Sequence, residues 1–175
     1  MQLFLHTLAM VRGQLELRAC EFGAAERVLR QAWDGLAESG ETGFRATVGV
    51  MLAEALVGQG RSEGAATVLD EADGLAAADD VSALAGIQIV RSLVATEQGR
   101  VEEAIVHGRR AIALSDTTDY VEQRVEARLA LGRALLAAGR GDEVSLVLTE
   151  AADEAGSKGS TVLQDAARAL LATRT

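Results

Sequence analysis

Apolar and small residues recur at three and four positions along almost the whole chain, interrupted at intervals by glycine. Between Arg128 and Ala151, Leu129, Leu131, Leu135 and Leu136 stand at helical spacing, and Val144, Leu148 and Ala151 resume it beyond Gly139. That period predicts two helices, each with an apolar face. Glycine has no Cβ and enters the left-handed region at little cost, so Gly139 predicts a helix stop with positive φ. Asp142 and Glu143 follow near the positive end of the second helix. A two-helix hairpin of this size cannot bury both its apolar faces alone, so it needs neighbours of the same kind.

The neighbours lie upstream. Gly139 aligns with Gly99, Gly60 and, in a weaker first copy, Cys20, at steps of 40, 39 and 40 residues. Arg61, Arg100 and Arg140 follow the three glycines. Ala25, Ala65, Ala104 and Val144 share one register position; Leu29, Leu69, Gly108 and Leu148 share a second; Ala32, Ala72, Ala111 and Ala151 share a third. Before the glycine, Leu52, Ala53 and Leu56 are answered by Leu131, Gly132 and Leu135. A leucine followed by a small residue, then two alanines seven apart in the next helix, resembles the tetratricopeptide pattern, with a period longer than its usual ~34 residues. The expected fold is all-α: a tetratricopeptide-like, right-handed superhelical array of about four helical hairpins plus a C-terminal capping helix.

The spacing predicts helix pairs over 1–18 and 23–39, 44–59 and 62–77, 82–98 and 101–115, and 120–138 and 140–155. The repeats then span 1–40, 41–80, 81–116 and 117–156 of a single domain, 1–175, with a capping helix inside 160–173. Asp79 or Asp80 can cap the helix that follows them. In the last helix, Val162, Ala166, Ala169 and Leu170 are expected to face the stack, with Asp165 and Arg168 toward water. The first helix is apolar on more than one side and has no capping residue. Its outer face is expected to expose Leu3, Phe4 or Leu8, as if a preceding helix of a longer chain covered it.

Composition narrows the class. Hydrophobic residues make up 49% but aromatics only 3%, and there is no proline, so alanine and leucine must carry a closely packed helical core. A net charge of −9 opposes non-specific binding to nucleic acid or anionic lipid. One cysteine cannot form an internal disulfide, which makes the cytoplasm the expected compartment. The chain begins with no basic, cleavable signal and has no apolar run long enough to span a membrane.

No catalytic pattern emerges. The only lysine lies in Gly156-Ser157-Lys158-Gly159, which follows a helix instead of leading from a strand into one, so it does not read as a phosphate loop. Glu103 and His107, one turn apart, are at most half a metal site, and with His6 the only other histidine His107 reads as a surface residue. Cys20 reads as a turn residue in place of glycine. Asp70, Glu71, Asp73, Asp79 and Asp80 lack the calcium-loop spacing and read as a solvated face with helix caps. Trp33 reads as a packing residue. No catalytic, cofactor-binding or metal residue is therefore assigned, and the chain is expected not to be an enzyme.

Binding is expected instead on the inner surface, which the first helices of stacked pairs line. The inward positions are Thr7, Met10, Gln14 and Leu17; Thr47, Val50, Glu54 and Val57; Gly86, Ile89, Leu93 and Thr96; Glu126, Leu129, Arg133 and Leu136. Met10, Val50, Glu54, Ile89, Leu93, Leu129 and Arg133 are the candidate partner contacts, the alternative being that Ile89 and Leu129 are simply core. So apolar a face suits a helix or a neighbouring domain. Self-association is also open.

Several segments resemble the C-terminal helical-repeat region of large bacterial signalling proteins that join a class III adenylate/guanylate cyclase homology domain to an ATP-binding module. They are AAERVLRQAWDGLAESGE (24–41), LAEALVGQGRSEGA (52–65), GRVEEAIVHGRRAIALSDTTDY (99–120), ARLALGRALLAAGR (127–140) and AARALLA (166–172). The resemblance implies a protein-interaction or regulatory module forming the C-terminal part of a larger protein. That family's catalytic and nucleotide-binding residues lie in its other domains, so none transfers to this sequence. Related tails occur in ATP-binding transcription regulators. Such a tail, a stand-alone adaptor and an enzyme with an unrecognised site are the alternative readings.

Overall fold

The computed structural model describes residues 2–173, with side chains from Thr7 onward. The expectations for Leu3, Phe4 and His6 lie outside the described side chains. The described residues are all-helical: α1 Gln2–Arg18, α2 Phe22–Ser39, α3 Gly43–Val57, α4 Ser62–Leu75, α5 Val81–Glu97, α6 Val101–Ser115, α7 Val121–Ala137, α8 Gly141–Ser157 and α9 Thr161–Ala172. They pack consecutively, as a helical-repeat array requires, within two compact units, Met1–Ala83 and Leu84–Thr175. In the first unit α1 packs on α2, α2 on α3 and α3 on α4, and α1 also reaches α3. In the second, α6 packs on α7, α7 on α8 and α8 on α9, and α7 also touches α9. There α5 is tied to α6 where the Ser92 hydroxyl donates to the Ala104 carbonyl at 2.9 Å.

One turn recurs between the helices of a hairpin. The amides of Gly60 and Arg61 donate back to the carbonyls of Val57 and Leu56; Gly99 and Arg100, and Gly139 and Arg140, do the same with their own preceding turns. The φ angles of these glycines are 70°, 72° and 67°. This paired capping pattern satisfies the last carbonyls of the first helix. The arginine carbonyl then accepts at once from Ala65, Ala104 or Val144, opening the second helix. The recurring small residue is thus the one whose amide closes the first new turn. The arginine side chains add surface pairs: Arg61 to Glu26 at 2.7 Å, Arg140 to Glu143 at 2.6 Å, and Arg100 to Glu103.

Cys20 occupies the glycine position with φ 58° and the same two hydrogen bonds, from Cys20 to Leu17 and from Glu21 to Glu16. A side chain in the left-handed region costs about 1–2 kcal/mol. Cys20→Gly is therefore expected to raise stability by about 1 kcal/mol, since glycine's extra unfolded-state entropy offsets part of the gain. A urea midpoint that fails to rise would show that the turn holds no such strain.

Two expectations need correction. Helix α4 stops at Leu75 rather than at 77, because Ala76 is already extended, with ψ 132°. The first turn of α5 is capped by Asp80, whose Oδ1 accepts from the Ala83 amide at 2.9 Å. Helix α9 seats on Leu163 and Ala167, with Ala166, Leu170 and Leu171 half-buried, while Val162 and Ala169 face water beside Asp165 and Arg168. The reason is register. Helix α9 repeats α7, so Leu163 and Ala167 are buried where Gln123 and Ala127 are.

Candidate functional site

The candidate partner contacts fall on first helices of both units. In the first unit, Met10 of α1 and Val50 and Glu54 of α3 are half-buried. In the second, α5 carries Ile89 and Leu93, and α7 carries Leu129 and Arg133. Ile89 is buried with Ala111, Ala127 and Ala130, and Leu93 and Ile112 are half-buried against the same cluster. Leu129 is buried in the larger cluster that includes Ala104, Leu131, Leu135 and Leu148. The core thus holds Ile89 and Leu129, whereas Leu93 stands at the rim of the Ile89 cluster. Arg133 is exposed and, among the described residues, has no ion-pair partner. What the second unit offers a partner is an apolar rim on α5 and an available guanidinium on α7.

Buried polar residues are the feature that sequence reasoning missed. Gln88, Ser92, Ser115, Gln123 and Arg128 are all buried in the second unit. Arg128 grips Asp116 with both ends of its fork, Nη1 to Oδ1 at 2.9 Å and Nη2 to Oδ2 at 3.1 Å. Arg124 reaches Glu154 at 2.9 Å, and Glu150 stands 3.7 Å from Arg128. The network ties the α6–α7 turn to α7 and α8. Burial alone would favour loss of the Arg128 charge, but the Asp116 hydrogen bond, with the charges of Asp116, Glu154 and Glu150, raises its pKa overall. The available signal was register: Arg128 aligns with Gln88, the other large polar residue on that face, and with Gly49.

His107 is not the plain surface residue expected from sequence. It is half-buried, and its Nδ1 lies within hydrogen-bond distance of Gln88 Oε1, at 2.7 Å. Burial lowers its pKa, Arg91, Arg110 and Arg100 lower it further, and Glu103 opposes them. The Glu103 carboxylate is 3.7 Å from Nε2. Among the described residues, no three of His, Cys, Asp and Glu are grouped so as to hold a metal ion.

The remaining candidates are accounted for locally. Glu71 of the acidic stretch pairs with Arg45 at 2.5 Å, and Arg45 lies over the ring of the buried Trp33 at 4.1 Å. Trp33 also fills the space beside Gly49, where an added Cβ would collide with its ring. Among the described residues no helix is long and apolar enough to cross a membrane. Compared with known proteins, the chain matches no family model and no curated protein.

Proposed function

We propose that this chain is a non-catalytic protein-interaction or regulatory module of tetratricopeptide-like type, working in the bacterial cytoplasm as part of a cyclase-like multidomain signalling protein. The observation that carries the interaction reading is Leu93, a half-buried leucine at the edge of a closed apolar cluster, with Arg133 available on α7. An apolar rim of this kind suits a partner helix or a neighbouring domain better than a polar small molecule. The net charge of −9 argues against nucleic acid or an anionic membrane as that partner. The cyclase-like context rests on the five resembling segments alone.

The test is titration calorimetry of the chain against the ATP-binding module encoded in the same gene. Leu93→Asp is expected to weaken binding about tenfold or more with helical content unchanged, and added salt is expected to matter little. Equal affinity of a folded Leu93→Asp variant would sink the interaction reading. A gene without an ATP-binding or cyclase-type module would sink the proposed context.

A further inference from the structure

We draw no further inference here: the strongest candidate, the apolar stripe of Leu8, Val11 and Leu15 along the exposed face of α1, carries none because nothing in the structure shows what covers it.

Discussion

Ile89→Asp should unfold the second unit, costing more than about 4 kcal/mol, while Leu93→Asp, one turn along the same helix, leaves it folded. Ile89 is 8% exposed, and the side chains around it, Ala111, Ala127, Ala130, Leu93 and Ile112, offer no donor to a carboxylate. Ionised, the new group would be an unpaired charge in an apolar cluster. Protonated, it would still lack hydrogen-bond partners, and the packing of α5 against α6 and α7 would lose its branched aliphatic side chain. Leu93 differs in one respect: part of its side chain already meets water. A carboxylate there can turn outward and stay solvated. Circular dichroism with urea unfolding separates the two positions. A folded Ile89→Asp chain destabilised by less than about 1 kcal/mol would place Ile89 at the surface and return it to the candidate partner contacts.

The same pair of residues shows what periodicity can and cannot deliver. Glycines at one register position imposed the hairpin frame, because positive φ selects for a missing Cβ, and Cys20 was legible as the exception. The outer face of α1 was legible through Leu8, since a helix apolar on several sides cannot bury them all. That same property hid the inner face. Helices α5 and α7 carry apolar residues nearly all round, so spacing alone could not separate Ile89 and Leu129, which lie in the core, from Leu93 at its rim. In α9 the signal failed for want of contrast: alanines lie on adjacent stripes, and the packing of Leu163 and Ala167 chose between them. The Arg128–Asp116 grip was not legible because it exists only once the α6–α7 turn folds back along α7. Register could mark Arg128 as a polar residue at the position of Gln88, but it could not name the partner.

Gly108→Leu is the sharper test of how the second unit is assembled, because the repeat alignment recommends it. Leu29, Leu69 and Leu148 hold this register position in the other hairpins, so leucine at 108 would restore the common pattern. In two of those hairpins the leucine fits because the first helix supplies a glycine beneath it. An added Cβ on Gly13 would lie 2.5 Å from Leu29 Cδ2, and one on Gly132 would collide with the Leu148 side chain. The third hairpin is built the other way. Ser92 replaces the facing glycine and spends its hydroxyl on the Ala104 carbonyl, and the space at Gly108 is taken by α7 itself. A Cβ at Gly108 would stand 3.0 Å from the α-carbon of Leu131, a backbone atom that cannot rotate away. Leucine there must part α6 from α7 and disturb the cluster around Ile89. We expect a loss of about 3 kcal/mol or more for Gly108→Leu, and a smaller one, about 1–3 kcal/mol, for Gly108→Ala. Adding Leu131→Ala should rescue little, because the α7 backbone still stands in the way and the truncation removes buried side chain of its own. Urea unfolding of the three variants measures this directly, and a Gly108→Leu chain as stable as the wild type would mean that α6 and α7 do not approach so closely.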